Sequence, residues 1–324
     1  MLLLRSVAIH AVLAISLFGQ GILAVGEKKA GKVGFYTVEG RRVGEVQVGA
    51  FPHEFAFSPD RRLLYVSDNG VLWMTDKGEG GNTISIIDVA ARKRIGVVDL
   101  GTYRRPHGMA VLPNGEIVVT VENPHALIRV DPMVRKVVRK YDVGGESPHM
   151  VRLGPGAATA WVSISGSGKV SIIDLASGAI QAQLATGQNP QGSVLTRDGR
   201  RMYITNSASN SISIVDVAAR KIEREIATGA GPNRIYLSPD EKTLYYSFQA
   251  GAGMGFADIA SGKETARIPL PGPPLSFTLS KDGKTGYLGI QDSDKIAVVS
   301  IADRKIIRVF DTPAGAGPDS IEPI

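Results

Sequence analysis

The chain has 324 residues, 38 glycines, 6% aromatic residues, no cysteine and a formal net charge of +6. Without cysteine it can form no disulfide, no thiolate metal site, no cysteine nucleophile and no haem attachment motif. Its length would ordinarily indicate two domains, although an all-β ring can reach this size as a single unit.

The first 26 residues differ from the rest. Arg5 precedes an apolar run, Val7 to Phe18, that is too short to span a bilayer, and Ala24-Val25-Gly26 provides small residues at a cleavage position. We therefore predict a signal peptide at residues 1–26 and a periplasmic or secreted mature protein. The alternative is an N-terminal membrane anchor. After signal removal no transmembrane domain is expected, because no later segment is sufficiently apolar.

A repeated unit occupies residues 27–324 and is clearest from Gly187 to Gly229. In this copy, Met202 to Asn206 and Ser211 to Val217 alternate β-branched or aromatic residues with small polar ones, which is typical of half-buried strands. Arg197-Asp198-Gly199-Arg200 supplies a tight turn between strands. Four short strands in 42 residues predict one blade of a β-propeller.

Each unit begins with a proline that precedes its first strand. The spacings between successive prolines are 54, 42, 42, 42, 42 and 44 residues, so seven blades are expected, with one insertion at Asn69 to Gly81. The seven junctions are Pro52-His53, Pro106-His107, Pro148-His149, Pro190-Gln191, Pro232-Asn233, Pro274-Leu275 and Pro318-Asp319.

The two ends of the repeat region complement each other. Lys32 to Gly49 matches the third and fourth strands of a blade, and Gly317 to Ile324 matches a first strand. We predict an all-β, single-domain, seven-bladed β-propeller over residues 27–324, closed by shared N- and C-terminal strands, which would leave no free sheet edge. No second strand is evident for the shared blade, so we expect it to have three strands.

Recurring second-strand motifs carry a family resemblance. YVSD at 65–68, YITN at 203–206, the SIIDV-like third strands and the SPD or DG turns resemble the YVTN family of β-propeller repeat proteins. The resemblance implies the propeller fold. It leaves the function open, because this family and its relatives include surface-layer proteins, exported binding proteins, metal chaperones and enzymes.

Three histidines occupy equivalent junction positions of consecutive blades: His53, His107 and His149. First strands begin beside the central channel, so these imidazoles should meet at its mouth. Glu122 lies in a loop between second and third strands, which opens on the same face. We predict a divalent transition-metal site with zinc, copper or iron as its cofactor, in which the three histidines are ligands and Glu122 is a fourth ligand, a residue that supports a ligand, or a general base. The alternatives are a metal-free site for a polar ligand and simple lining of the channel.

Other residues should reach the same face. The insertion contributes Trp73, and Tyr103 and Arg105 lie in the segment that leads into His107. In blades on the other side of the ring, the residue after the junction proline is an amide, Gln191 or Asn233, or a carboxylate, Asp319, instead of a histidine. The predicted ligand-binding residues are Trp73, Tyr103, Arg105, Gln191, Asn233 and Asp319.

Basic residues recur at the turn between third and fourth strands, on the face opposite the histidines. Arg92-Lys93-Arg94 and Arg220-Lys221 are two examples. No aromatic residues interleave with them to stack on bases, so we expect a solvated rim and no nucleic-acid partner.

Three functions are compatible with these features. The first is an exported protein that binds a transition metal or small polar ligand at the channel without turnover, for example as a metal chaperone. The second is a metal-assisted lyase, lactonase or oxidoreductase, with His107, His149 and Glu122 as acid/base candidates. The third is a platform for a protein partner built on the insertion and Trp73, in which the histidines would be dispensable.

Overall fold

A computed structural model describes residues 21–324, which form seven four-stranded antiparallel sheets. The sheets are the blades of a propeller, and each innermost strand borders the central channel. The predicted all-β, seven-bladed architecture is therefore confirmed. The described residues contain no helix long and apolar enough to cross a bilayer.

The strands are numbered in chain order. Blade 1 contains β4 (Pro52–Phe57), β5 (Leu63–Asp68), β6 (Thr83–Asp88) and β7 (Lys93–Asp99). Blade 2 contains β8 (Arg104–Val111), β9 (Ile117–Asn123), β10 (Ala126–Asp131) and β11 (Lys136–Tyr141). Blade 3 contains β12 (Pro148–Leu153), β13 (Thr159–Ile164), β14 (Lys169–Asp174) and β15 (Ile180–Ala185). Blade 4 contains β16 (Pro190–Leu195), β17 (Arg201–Asn206), β18 (Ser211–Asp216) and β19 (Lys221–Ala227).

The remaining blades follow the same order. Blade 5 contains β20 (Pro232–Leu237), β21 (Thr243–Phe248), β22 (Gly253–Asp258) and β23 (Lys263–Pro269). Blade 6 contains β24 (Ser276–Leu279), β25 (Thr285–Ile290), β26 (Lys295–Ser300) and β27 (Lys305–Asp311). Blade 7 contains β28 (Pro318–Pro323), β1 (Ile22–Glu27), β2 (Lys32–Thr37) and β3 (Arg42–Gln47). Short 3-10 helices occur at Pro155–Ala157, Ser165–Ser167 and Gln291–Ser293.

Blade 7 closes the ring with both chain ends. The C-terminal strand β28 is innermost and pairs with β1, so the predicted shared blade is present. The prediction of three strands was wrong, because β1 is a second strand. Leu23, Ala24 and Val25 are fully buried between blades, and their apolar character resembles the end of a signal sequence. In this protein the same apolar composition forms the buried strand β1.

The predicted signal peptide extends to residue 26, which places its end inside β1. Cleavage there would remove most of a strand that pairs with both β2 and β28. The apolar run from Val7 to Phe18 lies outside the described residues. A signal that preserves the four-stranded blade must therefore end at or before residue 21.

The second-strand motif has a separate role for each of its positions. Its aromatic residue packs between blades: Tyr65, Trp161 and Tyr203 are each at most 3% exposed. The third position of the motif can carry a hydroxyl that donates to the backbone of the next blade. Thr205 Oγ1 donates to the carbonyl of Asn233 at 2.6 Å. Thr120 Oγ1 does the same to the carbonyl of His149, also at 2.6 Å. The repeat motif thus fixes the backbone of residues at the channel mouth.

The last position of the motif holds Asp68 in blade 1 and Asn206 in blade 4. Asp68 accepts bonds from the hydroxyls of Thr83 and Ser85 and from the amide of Gly49. Asn206 instead donates through Nδ2 to two serine hydroxyls of the third strand. Burial raises the pKa of Asp68 to about 6, and its three hydrogen bonds only partly oppose that effect. An amide therefore suits this buried position as well as a carboxylate does.

We expect the substitution Asp68→Asn to stabilise the protein at pH 8. The native carboxyl has a pKa of about 6 against a usual value of 3.8, so its contribution to stability declines as the pH rises between those values. The gain at pH 8 should be about 3 kcal/mol at most and should vanish below pH 4. Urea unfolding at both pH values measures it. The reciprocal Asn206→Asp variant should lose stability at pH 8, and an identical pH response of all three proteins would contradict this account.

Candidate functional site

The channel is shaped by an irregularity in the innermost strands. In blade 1, Pro52 pairs with Asp68 and Phe55 with Val66, so His53 and Glu54 together face one partner residue. The same β-bulge follows Pro106, Pro148, Pro190 and Pro232. In a regular strand successive side chains would point to opposite faces. A bulge re-aims them, and here both bulge residues reach the channel.

Two rings of side chains result. The mouth ring consists of the residues directly after the prolines: His53, His107, His149, Gln191, Asn233, Leu275 and Asp319. The middle ring consists of the next residues: Glu54, Gly108, Met150, Gly192, Arg234, Ser276 and Ser320.

The three histidines of the mouth ring come together as expected. His53 and His107 have ring centroids 4.0 Å apart, and the same separation is found between His107 and His149. The Nε2 atoms of His53 and His107 are 2.7 Å apart. His107 and His149 are 1% and 6% exposed, so this cluster is largely removed from solvent.

Asp319 orients His53. Its Oδ2 lies 2.6 Å from His53 Nδ1 and 2.9 Å from the ammonium of Lys28. A carboxylate only accepts hydrogen bonds, so Asp319 favours a proton on His53 Nδ1, which in the neutral imidazole leaves the Nε2 lone pair towards His107; Lys28 Nζ also lies 3.1 Å from Nδ1. A carboxylate behind an imidazole is the usual support of a metal-binding histidine.

Burial keeps the inner imidazoles neutral. It is the main reason that the pKa values of His107 and His149 lie well below 6.5, and the positive charges of neighbouring side chains lower them further. Asp319 behaves oppositely: burial would raise its pKa, but the charges of His53 and Lys28 outweigh burial and hold the pKa well below 3.8. At neutral pH the site therefore combines neutral nitrogen donors with an ionised carboxylate.

Two ring nitrogens of the cluster have no partner among residues 21–324. They are Nδ1 of His107 and Nδ1 of His149, both buried. A buried polar atom without a hydrogen bond costs about 1–3 kcal/mol. A polar ligand or ion that reaches these Nδ1 atoms would remove that penalty.

Glu54 is the carboxylate that forms a group of candidate metal ligands with two of the histidines. His53, Glu54 and His107 offer ligand atoms that all lie within 4.8 Å of one another. The Oε1 atom of Glu54 is also ion-paired with Arg234 across the channel. In a regular strand the residue after His53 would point to the opposite face, and only the bulge brings Glu54 to the same side as His53. The sequence reasoning missed it for this reason.

Glu122, the carboxylate expected at the metal, takes part in a different contact. Its Oε2 lies 3.3 Å from Nη1 of Arg105, and burial raises its pKa despite that arginine. Among the described residues Glu122 does not belong to the group of mutually close ligand atoms. Its position on the mouth face agrees with the topology, but its partner is a guanidinium.

Arg105 fastens the insertion over the mouth. Its guanidinium donates to the carbonyls of Met74 at 3.1 Å, Asp76 at 2.6 Å and Gly78 at 2.7 Å. The insertion connects β5 to β6, where the sequence placed it. Arg105, which was predicted to bind ligand, instead holds the insertion, whose residues form part of the cavity wall.

A cavity of about 470 Å³ lies above the cluster. Of the predicted ligand-binding residues, Trp73, Gln191, Asn233 and Asp319 line it, and Trp73 is 41% exposed. Tyr103 packs instead against the hydrophobic core between blades 1 and 2. The cavity wall thus offers amide groups, the cation of Lys28 and one exposed indole.

We expect Arg105→Met to release the insertion. Loss of the guanidinium removes hydrogen bonds to three carbonyls, and trypsin should then cut after Lys77 at least tenfold faster, since a 1.4 kcal/mol loss changes the open population about tenfold. Mass spectrometry of the products identifies the cut. Arg104→Met is the matched control, because Arg104 pairs only with the 81% exposed side chain of Glu79 and should cut at the wild-type rate. Equal rates for all three proteins would refute the anchoring role.

A family model described as YNCE-like beta-propeller matches residues 145–321. No curated protein sequence matches the chain. The solved structure of a periplasmic gluconolactonase, PpgL, from Pseudomonas aeruginosa is similar, with a TM-score of 0.76, 17% identity and coverage of 94% of this chain and 99% of the other. The structure of a hydrazine synthase from Kuenenia stuttgartiensis is also similar, with a TM-score of 0.72, 20% identity and coverage of 84% of this chain and 90% of the other.

A functionally unknown protein from Desulfotomaculum acetoxidans has a TM-score of 0.76 at 14% identity, with coverage of 94% of this chain and 98% of the other. At such identities the likeness establishes the fold alone.

Proposed function

Because this chain belongs to the YNCE-like β-propeller family, whose fold leaves the ligand open, we propose that it binds a divalent transition-metal ion at the channel mouth. His53, Glu54 and His107 are the proposed ligands, and His149 is an additional nitrogen donor beside them. The observation that carries this proposal is the set of three ligand atoms within 4.8 Å of one another.

The support of His53 by Asp319 strengthens the proposal. The carboxylate fixes the tautomer that leaves Nε2 free, as a metal-binding histidine requires. Without an ion, the 2.7 Å contact between the two Nε2 atoms is a hydrogen bond. Two nitrogens bound tetrahedrally to zinc at about 2.0–2.1 Å would be about 3.3 Å apart. Binding would therefore exchange that hydrogen bond for two coordination bonds and a small separation of the rings.

The charges around the site indicate which ions suit it. Lys28 and Arg234 are balanced by Asp319 and Glu54, their ion-pair partners. The protein consequently presents no excess negative charge to trap calcium or magnesium, which prefer oxygen ligands. Neutral imidazoles favour zinc or copper instead.

Turnover is the second candidate function. The cavity of about 470 Å³ in front of the cluster is large enough to admit a small substrate to a metal-bound water. The structural neighbour from Pseudomonas aeruginosa is a gluconolactonase, which makes glucono-δ-lactone a reasonable first substrate to test. Hydrolysis by the zinc-loaded protein that disappears in His107→Gln would favour an enzyme over a carrier.

Calorimetric titration of the metal-stripped protein tests the binding proposal. We expect stoichiometric binding of zinc or copper ions and no binding of calcium or magnesium ions. His107→Gln and Glu54→Gln should each weaken zinc binding at least tenfold, and Asp319→Asn should weaken it about 10- to 100-fold through misorientation of His53.

Two matched controls separate this site from general metal scavenging. His125→Gln removes a histidine whose Nδ1 accepts from the amide of Ser147 at the mouth face, and Glu122→Gln removes the carboxylate paired with Arg105. Neither should change zinc affinity more than twofold. Failure of zinc and copper ions to bind the wild type, or equal losses in the controls, would overturn the proposal.

We also propose export to the periplasm or the cell exterior, on the basis of the apolar segment within residues 1–26. A periplasmic protein is among the structural neighbours, which is compatible with that location. N-terminal sequencing of the protein recovered from a bacterial periplasm should give a mature chain that begins no later than Ile22, the first residue of β1. A start at Glu27, or retention in the membrane, would contradict this expectation.

A further inference from the structure

The opposite end of the channel carries a second group of polar side chains. The lower ring consists of the residues four positions after each proline: Ala56, Ala110, Arg152, Val194, Tyr236, Thr278 and Glu322. It lies three residues beyond the mouth ring, or about 10 Å along a strand. Between the two, Glu54 and Arg234 pair across the channel, and Arg234 Nη1 lies 3.1 Å from Met150 Sδ.

Six members of the lower ring line a cavity of about 620 Å³ of their own, and the seventh, Thr278, lines a smaller adjoining cavity. The composition of the ring is asymmetric. Blades 1, 2 and 4 contribute small apolar residues, whereas blades 3, 5, 6 and 7 contribute a guanidinium, two hydroxyls and a carboxyl group. One wall is therefore suited to a carbon skeleton and the other to its polar substituents.

The polar groups of this wall retain hydrogen-bonding capacity. Nε and Nη2 of Arg152 both donate to the single carbonyl of Ser193, at 3.1 and 2.7 Å, which leaves Nη1 available. In the described part of the chain, Arg152 and Glu322 form no ion pair with each other. Their charges nevertheless interact, and the neutral phenol of Tyr236, whose pKa burial raises to about 12, lies within hydrogen-bonding reach of Thr278. The side chains thus surround a space without filling it.

The ionisable side chains that line this cavity occur as two cations and two carboxyl groups. Arg234 pairs with Glu54, and Arg152 is matched by Glu322, while Arg61 and Lys281 add positive charge at the smaller adjoining cavity. Burial raises the pKa of Glu322 to about 7, so that part of its negative charge is lost at neutral pH. An anionic ligand is favoured over a cationic one.

We infer that the lower ring binds a small hydroxy-carboxylate. Its carboxylate pairs with Arg152, and its hydroxyl groups bond to Tyr236 and Glu322. Its carbon skeleton lies against the apolar arc. This site is separate from the mouth cluster and does not depend on a metal there.

Three probes with a common skeleton test the assignment: glycerate, serine and glycerol. Calorimetry at pH 7, with metal-stripped protein, should show binding of glycerate. Serine should bind at least tenfold more weakly because its ammonium enters a positive cavity, and glycerol should not bind measurably because it lacks the carboxylate. Arg152→Gln should weaken glycerate binding at least tenfold, since it removes a charge-assisted hydrogen bond.

The variants also locate the site. Tyr236→Phe keeps the ring and should weaken glycerate binding about threefold to tenfold through loss of one hydroxyl contact. Lys29→Gln removes a positive charge at the opposite mouth, and His107→Gln alters the cluster there; neither should change glycerate affinity more than twofold. Thermal unfolding of each variant establishes that it is folded.

Several results would overturn the inference. These are the absence of glycerate binding to the wild type, undiminished binding in both Arg152→Gln and Tyr236→Phe, an equal loss in Lys29→Gln, or tighter binding of serine than of glycerate. Loss of glycerate binding in His107→Gln alone would move the ligand to the mouth, and the lower ring would then not be a site.

Discussion

The β-bulge after the junction proline is the feature on which the channel depends. It places two consecutive residues opposite one partner, so that each affected innermost strand gives both side chains to the lumen. With regular pairing only one of the two side chains would face the channel, and either Glu54 or His53 would point into the space between blades. The hydroxyl bond from Thr120 to the carbonyl of His149 then holds the bulged backbone from the neighbouring blade. Architecture and candidate chemistry therefore share the same backbone irregularity.

The mouth cluster has a consistent electrostatic design. Two neutral imidazoles are buried, while His53 stays partly accessible and is tied to a buried carboxylate that also holds Lys28. Cations and anions occur in pairs, so burial does not leave an isolated charge. Among residues 21–324, the buried atoms at the mouth without a partner include Nδ1 of His107 and of His149 and oxygens of Glu122, Asn233 and Asp319, all of which a bound ion or hydrogen-bond donor could satisfy.

Much of the ring could be predicted from the sequence because prolines and second-strand motifs repeat at a fixed interval. The insertion and the convergence of His53, His107 and His149 followed from the same register. β1 was missed because ILAVGE has the composition of a signal terminus, and composition does not reveal a pairing partner at the other end of the chain. Glu54 was missed because periodicity describes regular strands. The partner of Glu122 depends on the path of the insertion, which short-range patterns do not determine.

The innermost strand of the shared blade is made by the last residues of the chain. Asp319, which sets the tautomer of His53, therefore reaches its place only when β28 pairs with β1. His53 and Asp319 are 266 residues apart in the sequence, so the orientation of the first histidine depends on closure of the ring and not only on the blade that carries it.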